Sequence, residues 1–469
     1  MNLQTSLYDH QAAAVAKLLP TRVGALFMEM GTGKTRTAIE LVARRQARID
    51  RVIWLCPVTL KATIAYEIAK HTDAQPADIC VFDDRTNQRN VSHTAFWVIA
   101  GIESMSSSNR VVLAVNSLIT DHTCVIVDES DYIKGHAARR TLRITAAAER
   151  ARYRLLLTGT PLSQGIVDLF AQMRFLSPAI LGYRSFYSFA ANHLEYSDKY
   201  PGLIARAHNV DHLAAKIAPY TYQVTKEECL TLPRKLYDVR YYSLTDEQRA
   251  AYVEAKWELF LSLPDDQISS YAIFRMFTAL QQIVSGFQHR DGKVHEYAHS
   301  RLALLQSYVD SIHPDAKIII WCKYHYSIAQ IVAHLIAAYG ADSVAQYHGA
   351  LNEKQRAAQL DRWRPPAGAR FLVAMLSSGG RGLTLNEANY AIFYENNFKY
   401  SERMQAEDRC HRIGQTSPVT YGDIVASATI DQRIQDAIAA KGDVVESFRR
   451  EVKDVRDRRG DSAKLAEAL

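Results

Sequence analysis

Short apolar runs alternate along most of the chain with longer segments in which apolar residues recur at helical spacing. Such short runs predict buried strands, and strands that alternate with helices predict parallel sheets. In the first third of the chain the predicted strands are 23–27, 52–56, 96–100, 123–127 and 154–157. In the last third they are 317–322, 344–347, 371–375, 391–394 and 419–425.

The order of these elements predicts an α/β protein with two parallel-sheet lobes and a helical insertion and linker between them. We expect a first lobe over residues 1–161, helical protrusions and the linker over 162–291, a second lobe over 292–445 and a charged tail over 446–469. The middle stretch is assigned to helix because it shows little strand pattern. Its polar, glycine-containing end at 290–293 is the expected flexible joint.

A glycine-containing loop follows the first predicted strand and precedes a helix-forming run. Gly31, Thr32 and Gly33 allow backbone N–H groups to close around a phosphate at the start of that helix. Lys34 is placed to reach the outer phosphates, and Thr35 offers its hydroxyl to Mg²⁺. The strand, the loop and the helix together predict a P-loop that binds a nucleotide.

Two carboxylates, Asp128 and Glu129, follow the fully apolar run at 124–127. Parallel sheets bind ligands at the carboxyl ends of their strands, so the pair is predicted to lie at a functional edge. Asp128 would hold Mg²⁺, directly or through water, and Glu129 would orient and deprotonate an attacking water. The alternative is a surface turn that closes the strand, and the P-loop upstream favours the catalytic interpretation.

Gln405, Arg409 and Arg412 are spaced at i, i+4 and i+7, which predicts that one helical face carries all three. Gly414 is expected to end this helix. Two guanidiniums so placed suit the γ-phosphate of a nucleotide, where an arginine finger accelerates transfer by about 10³-fold or more. The alternative is a solvated charged face, which is the usual role of such residues.

With further segments, these motifs resemble those of helicase superfamily two, and specifically the Swi/Snf-type DNA-dependent ATPases. Segment 7–11 is similar to the adenine-reading motif of that family, 157–162 to motif III, 377–385 to motif V and 405–415 to motif VI. The string at 411–415 is among the most family-specific of all, and the resemblance covers about residues 7–441.

The resemblance implies two RecA-like lobes with ATP and Mg²⁺ bound where the lobes meet. It adds Tyr8, Gln11 and Gly380 to the expected nucleotide contacts. The expected catalytic residues are Lys34, Asp128, Glu129, Gln405, Arg409 and Arg412. The residues expected to contact nucleic acid are Lys61, Ser104, Thr160, Trp321, Lys323, Ser377, Ser378 and Thr384. Trp321 ends an apolar strand, so core packing and a DNA-facing role both remain open for it.

Three segments depart from the family pattern. After the acidic pair come Ser130 and Asp131, whereas the family has a histidine at the second of these positions. The paired arginines usual before Lys226 are absent, and 398–400 replaces a Trp-Asn-Pro segment. These changes affect the coupling between the nucleotide site and nucleic acid, and they leave the hydrolytic residues in place.

Composition limits where the protein is expected to act. The 469 residues carry a formal net charge of +6, which suits a basic track along one cleft better than a uniformly basic surface. No apolar run approaches the ~18 residues of a membrane span, and the N-terminus lacks a signal-peptide pattern. We therefore expect a cytoplasmic or nucleoid-associated monomer that is not secreted and does not contact a membrane.

The sequence as a whole predicts a DNA-stimulated ATP hydrolase that moves along duplex or forked DNA without reading base sequence. Two alternatives remain open. One is a helicase of the same superfamily that separates DNA or RNA strands, and the other is a clamp that binds ATP without hydrolysing it. The sequence contains no recognised targeting domain, so the target is expected to come from DNA structure or from a protein partner.

Overall fold

The computed structural model of the protein describes residues 1–159, 165–196, 204–261, 270–290, 292–379, 383–442, 444 and 447. Two compact units divide the chain, Met1–Thr231 and Leu232–Leu469, which we call the first and second units. Among the predicted site residues, Thr160 and Gly380 lie outside the described residues, and so does the side chain of Ser378. Apart from residue 447, the predicted tail at 446–469 also falls outside them.

Within its described residues, the first unit is built on a seven-stranded parallel sheet. Its strands are β1 (Val23–Met28), β2 (Arg51–Cys56), β3 (Ile79–Val81), β4 (Trp97–Gly101), β5 (Thr123–Asp128), β6 (Tyr153–Thr158) and β9 (Thr221–Val224), and β7 (Leu194–Tyr196) and β8 (Ile204–Ala207) form a separate antiparallel pair. The order of the strands across the sheet is β3-β4-β2-β5-β6-β1-β9. The helices are α1 (Asp9–Leu18), α2 (Lys34–Ala43), α3 (Lys61–His71), α4 (Ser104–Ser107), α5 (Asn109–Leu118), α6 (Arg139–Ala148), α7 (Val167–Leu176), α8 (Pro178–Leu181), α9 (Phe186–His193), α10 (Val210–Ile217) and α11 (Lys226–Cys229). Short 3₁₀ helices lie at Val58–Leu60, Pro76–Asp78, Ser130–Ile133 and Ala218–Tyr220.

Alternate residues of the central strands pack on opposite faces of this sheet. Val125 and Val127 of β5 join a hydrophobic core to which α5, α6 and α7 contribute. Cys124 and Ile126 join a second core to which α1, α2 and α3 contribute. Because both faces are covered, a central strand has no solvent-facing side, and its sequence is therefore a continuous apolar run.

The described part of the second unit is built on a six-stranded parallel sheet. Its strands are β10 (Lys235–Tyr242), β13 (Ile318–Cys322), β14 (Val344–Tyr347), β15 (Phe371–Met375), β16 (Tyr390–Phe393) and β17 (Val419–Ala426), and β11 (Phe287–Arg290) and β12 (Lys293–Glu296) form a separate antiparallel hairpin. The order of the strands across the sheet is β10-β17-β16-β13-β15-β14. The helices are α12 (Asp246–Leu261), α13 (Ser270–Val284), α14 (Arg301–Asp310), α15 (His325–Tyr339), α16 (Glu353–Trp363), α17 (Leu376–Gly379), α18 (Tyr400–Glu407) and α19 (Ile430–Ala439), with a 3₁₀ helix at Ala341–Ser343. No helix among the described residues combines the length and apolar character that crossing a membrane requires.

All ten predicted strands are confirmed, each to within one residue at either end. The prediction of a separate helical region at 162–291 differs from the structure, because that stretch is divided between the two units. Strand β9 pairs with β1 at the edge of the first sheet, and β10 pairs with β17 at the edge of the second. Most residues of β10 are at least partly exposed, so its sequence lacks the apolar run that marks a buried strand. At the predicted flexible joint, Arg290 of β11 and Lys293 of β12 are paired in an antiparallel hairpin.

Candidate nucleotide-binding site

Three of the predicted nucleotide motifs follow strands that are neighbours in the first sheet. The P-loop follows β1, the acidic pair ends β5, and Gly159 follows β6, which lies between them in the sheet order. Because these strands are parallel, their carboxyl ends share one edge, where α/β sheets bind their ligands. The fold therefore brings together residues that are separated by up to about 130 positions in the sequence.

The P-loop adopts the geometry that its glycines predict. Gly31 and Gly33 have φ angles of 80° and 87°, a left-handed conformation that residues with a Cβ rarely adopt. Gly33 is the N-cap of α2, so the first N–H groups of that helix lie directly after the loop. The ammonium of Lys34 donates to the carbonyl of Met28 at 2.9 Å, and this contact holds it over the loop.

Motif III packs against this loop. A Cβ added to Gly159 would lie 3.2 Å from the backbone nitrogen of Met30 and 3.6 Å from Nζ of Lys34. Glycine at this position lets the end of β6 approach the phosphate-binding loop closely. The rest of the predicted motif, including Thr160, lies outside the described residues.

The adenine-reading segment is held against the P-loop by Gln11. Its Oε1 accepts from the backbone N–H of Tyr8 at 3.0 Å, and its Nε2 donates to the carbonyl of Thr32 at 3.1 Å. The ring of Tyr8 is 50% exposed and so remains accessible to a ligand. His10 also bonds the Thr32 carbonyl, at 2.8 Å, and the sequence motif gave no signal for this contact.

Asp128 and Glu129 form the acidic part of the site. Asp128 is only 6% exposed, and its Oδ1 accepts from the backbone N–H of Glu129 at 3.0 Å. Burial raises the pKa of Asp128, the neighbouring Glu129 carboxylate raises it further, and the Lys34 ammonium opposes both effects. The carboxylate of Asp128 and the hydroxyl of the partly exposed Thr35 are both hard oxygen ligands of the kind that Mg²⁺ prefers.

Glu129 has a φ of 53°, an uncommon left-handed conformation for a residue with a side chain. It lies at the turn from β5 into the 3₁₀ helix Ser130–Ile133. Ser130 Oγ donates to Gln172 Oε1 of α7 at 2.6 Å, and both residues are fully buried. This contact fastens the acidic pair to α7, and sequence reasoning missed Gln172 because it lies outside every recognised motif.

Two predicted nucleic-acid residues follow strands at the same edge of the first sheet. Lys61 begins α3 after β2, and Ser104 begins α4 after the adjacent strand β4. The backbone N–H of Val58 donates to Oε2 of Glu103 at 3.0 Å, which ties the two loops together. The ammonium of Lys61 donates to the Phe82 carbonyl. Neither residue is shown to bind DNA by these contacts, and both stay predictions.

In the second unit, the prediction of one continuous helix from Gln405 to Gly414 is wrong. Helix α18 ends at Glu407, after which the N–H groups of Arg409 and Cys410 bond carbonyls three residues earlier, at 3.2 Å each. The chain then continues in turns rather than α-helix. We call residues 408–414 the arginine turn. Residues spaced i, i+4 and i+7 share one face only where the α-helix continues. Here the helix ends at Glu407, between Gln405 and Arg409.

The two arginines nevertheless converge. Nη1 of Arg409 and Nη1 of Arg412 both donate to the carbonyl of Leu383, at 3.1 and 3.4 Å. Arg409 also donates from Nε to the carbonyl of Gln405 at 2.9 Å. The two arginines therefore meet at a shared carbonyl of motif V rather than on one helical face, and Gln405 is joined to Arg409 through its backbone carbonyl.

The family-specific string ends in a structural contact. Nε2 of Gln415 donates to the carbonyls of Ala388 and Asn386 at 3.0 and 3.2 Å, and its Oε1 accepts two backbone N–H groups that follow it. Gly414 has a φ of 99°, and a Cβ there would lie 2.6 Å from Nδ2 of Asn386. Both residues thus hold the arginine turn against the chain that precedes β16.

One predicted DNA contact in the second unit needs correction. Trp321 is 0% exposed within the core, so the core-packing alternative is correct and the DNA-facing alternative is wrong. Lys323 donates from Nζ to Gln281 Oε1 at 2.7 Å and lies 3.3 Å from the ring centre of Phe398. Burial lowers the pKa of Lys323 to about 7, and its contact with DNA stays a prediction. Ser377 is exposed and remains a prediction, as does the partly buried Thr384.

The P-loop, the buried acidic pair and the arginine turn are features expected of an ATP-hydrolysing enzyme, and they lie in two units that are each built on a parallel sheet. Family comparison narrows this class. The SNF2-related domain matches residues 10–289, and the helicase conserved C-terminal domain matches residues 300–414. The first match alone covers more than half of the chain, so the chain belongs to the SNF2-related family. The predicted family and the predicted class of enzyme are thereby confirmed.

Individual relatives are distant. The chain is 27% identical over 430 residues to the human DNA annealing helicase and endonuclease ZRANB3, a match that covers 89% of this chain and 38% of that protein. It is 25% identical over 330 residues to an uncharacterized ATP-dependent helicase of Mycoplasma pneumoniae, covering 68% of this chain and 30% of that protein. A solved Sulfolobus solfataricus SWI2/SNF2 ATPase core in complex with dsDNA matches with a TM-score of 0.44 at 20% identity, over 100% of this chain and 98% of that one. The chain thus spans less than half the length of the two relatives.

Gly33→Ala is expected to weaken nucleotide binding by about 10-fold or more, because a strained backbone costs on the order of 1–3 kcal/mol. The added Cβ would lie 2.0 Å from Gln11 Nε2, at a φ of 87°. Titration with a fluorescent ATP analogue measures the effect. Gly135→Ala is the control, since its Cβ would meet only the Cβ of Ala138 at 3.4 Å. Equal affinity in the Gly33 variant and wild type would contradict the P-loop assignment.

Proposed function

We propose that this chain is a DNA-stimulated ATPase that translocates along duplex DNA without separating its strands. The observation that carries the proposal is the placement of P-loop, acidic pair and Gly159 at the ends of three adjacent parallel strands, in a chain of the SNF2-related family. The movement is proposed to remodel DNA structure or protein–DNA complexes.

The first unit would bind ATP with Mg²⁺. Gly31, Gly33 and the α2 N-terminus cradle the phosphates, and Lys34 donates to the outer ones. Thr35 and Asp128 would hold Mg²⁺, which neutralises charge on the phosphates when it is bound. Such a cation reverses the burial effect that raises the pKa of Asp128, because it favours the ionised carboxylate.

Glu129 is proposed to orient and deprotonate the attacking water. Its backbone turn places the residue directly beyond the buried Asp128, and the Ser130–Gln172 hydrogen bond fixes that turn to α7. A general base must be held within hydrogen-bond reach of the water it activates, so a fixed turn favours this role.

The arginine turn is proposed to act on the γ-phosphate of bound ATP. Arg409 and Arg412 share one neutral carbonyl acceptor, that of Leu383. A phosphate oxygen is a stronger acceptor for a guanidinium than a carbonyl, because the bond is then charge-assisted on both sides. Exchange of the Leu383 carbonyl for phosphate would couple nucleotide binding to motif V.

Contacts to DNA are proposed to be to the phosphate backbone. Lys61 and Ser104 lie at the carboxyl edge of the first sheet, and Ser377 is exposed after β15 in the second unit. Thr160, Ser378 and Thr384 complete the proposed set. Hydroxyl and ammonium donors of this kind position a backbone without reading bases, so binding should be independent of sequence and sensitive to salt.

A strand-separating helicase is the second candidate, favoured by the match to a helicase conserved C-terminal domain. An unwinding assay on a forked duplex distinguishes the two, since net strand separation by this protein alone would favour the helicase. The annealing and nuclease activities in the name of the human relative are not part of the proposal, because the chain spans 38% of that protein.

Glu129→Gln is expected to bind ATP normally and to lose turnover, because an amide cannot accept the water proton. Steady-state turnover is measured without nucleic acid and with single-stranded DNA, duplex DNA, forked DNA or RNA. The wild type should be stimulated most by duplex or forked DNA. Glu149→Gln, which changes an exposed carboxylate after α6, is the control and should keep wild-type turnover. Stimulation only by single strands or RNA would move the assignment to the helicase.

Arg412→Ala is expected to leave ATP affinity nearly intact while turnover falls by about 10³-fold, because an arginine finger acts mainly on the transition state. Nucleotide affinity and kcat are measured on the same preparations. Arg362→Ala, at an exposed arginine of α16 paired with Asp342 at 3.8 Å, should change neither quantity. A large loss of affinity with normal turnover in Arg412→Ala would exclude the proposed role.

A further inference from the structure

A buried carboxylate lies at the junction of α18 and the arginine turn. Glu407 is 0% exposed, and it is the last residue of α18, two positions before Arg409. Its Oε2 accepts from Lys235 Nζ at 3.0 Å and from Tyr237 OH at 2.9 Å, and its Oε1 accepts from Arg403 Nε at 2.9 Å. A carboxylate that is removed from water needs such donors, so these contacts determine where Glu407 can lie.

A second contact follows Arg409 in the sequence, and it involves the same stretch of chain as Lys235 and Tyr237. His411 Nε2 donates to the carbonyl of Pro233 at 2.7 Å. Residues 407 and 411 are thus both bonded to the segment 233–237, which we call the linker strand start. Arg409 lies between these two anchors, and Arg412 follows the second one directly.

The linker strand start joins the sheet of the second unit at its edge. From Lys235 onward it is paired in parallel with β17, beginning at Val419. On its other side it follows immediately from the boundary between the two units, at Thr231 and Leu232. The first residues of the second unit after that boundary therefore contribute two of the contacts that flank Arg409, at Glu407 and at His411.

Arg403 completes the support from within the sheet. Its Nη2 donates to Oδ2 of Asp423 on β17 at 3.0 Å. The central carbon of its guanidinium, Cζ, lies 3.5 Å from the ring centre of Phe393. Arg403 is 3% exposed. Oε1 of Glu407 is thus bonded to the buried Arg403, whereas Oε2 is bonded to Lys235 and Tyr237, which follow shortly after the boundary between the units.

We propose that Lys235 and Tyr237 are positioning residues for Arg409 and Arg412, so that the course of the chain between the two units sets the alignment of the arginines. The inference rests on the proposed ATPase function and deepens it. It assigns the connection between the units a part in controlling the chemical step, in addition to joining them. ATP binding by the first unit does not depend on this contact.

Tyr237→Phe removes one donor to Glu407 and conserves the ring. In the full chain with duplex DNA, kcat is expected to fall by about 10-fold, within the ~10²-fold that a displacement of about 1 Å costs a catalytic group. KM for ATP and the affinity for a fluorescent ATP analogue should stay at wild-type values. Tyr241→Phe is the matched control, because Tyr241 is on the same strand and its exposed fraction of 54% is close to the 58% of Tyr237.

A second measurement separates positioning from general loss of structure. If Tyr237 acts through the arginines, Tyr237→Phe should lower kcat no further in an Arg412→Ala background. Lys235→Arg should retain most of the activity and Lys235→Met should not, because arginine keeps a positive charge at position 235 to bond Oε2 of Glu407 and methionine does not. Thermal unfolding of each variant shows whether the fold is intact.

The outcomes distinguish this inference from the proposed function. An active wild type whose Tyr237→Phe variant keeps wild-type kcat overturns the inference alone. A fall in kcat that is equal in Tyr241→Phe, or fully additive with Arg412→Ala, also overturns it. A wild type that hydrolyses no ATP with any nucleic acid overturns the proposed function, and this inference with it.

Discussion

The parallel direction of the strands is the constraint on which the first unit depends. Helices connect β1 to β2, β4 to β5 and β5 to β6, so the carboxyl ends of these parallel strands lie at one edge. The order β5-β6-β1 then makes neighbours of the acidic pair, Gly159 and the P-loop. An antiparallel neighbour at any of these positions would carry its motif to the opposite edge. The strand direction thus determines which residues meet, and the glycines of the loop determine how closely they approach.

The second unit uses the same sheet architecture for another purpose. Here the residues near the proposed chemistry are fixed by buried ionic contacts rather than by a glycine loop. Glu407, Arg403 and Asp423 are all nearly inaccessible to water, and each has charged partners. Such groups are costly to bury unless they are fully bonded, so they define one arrangement and oppose others. Glu407, the last residue of this ionic cluster in the sequence before the turn, directly precedes the arginine turn.

The sequence predicted the central strands well, because a strand covered on both faces has a continuous apolar run. It failed for β9 and β10, which are edge strands. Most of β10 is at least partly exposed, and its pairing with β17 depends on a partner about 180 residues away that no local pattern reveals. The same two strands lie on either side of the boundary between the units, at Thr231 and Leu232, which no local pattern marks.

The candidate site was predictable where its geometry is local. The P-loop is such a case, because loop glycines and the helix start lie within a few residues. The contacts that tertiary packing creates were missed: Gln172 on Ser130, Pro233 on His411, and Tyr237 on Glu407. Burial likewise decided the role of Trp321, which the apolar strand before it left open.

The central claim is that ATP hydrolysis drives movement along intact duplex DNA. Displacement of a triplex-forming third strand from a duplex tests it most directly, with ATP turnover and duplex pairing followed in the same reaction. The account predicts that wild-type protein displaces the third strand only when ATP is present, that Glu129→Gln does not, and that the duplex strands stay paired. Protein that hydrolyses ATP on this DNA while the third strand remains bound would contradict the claim.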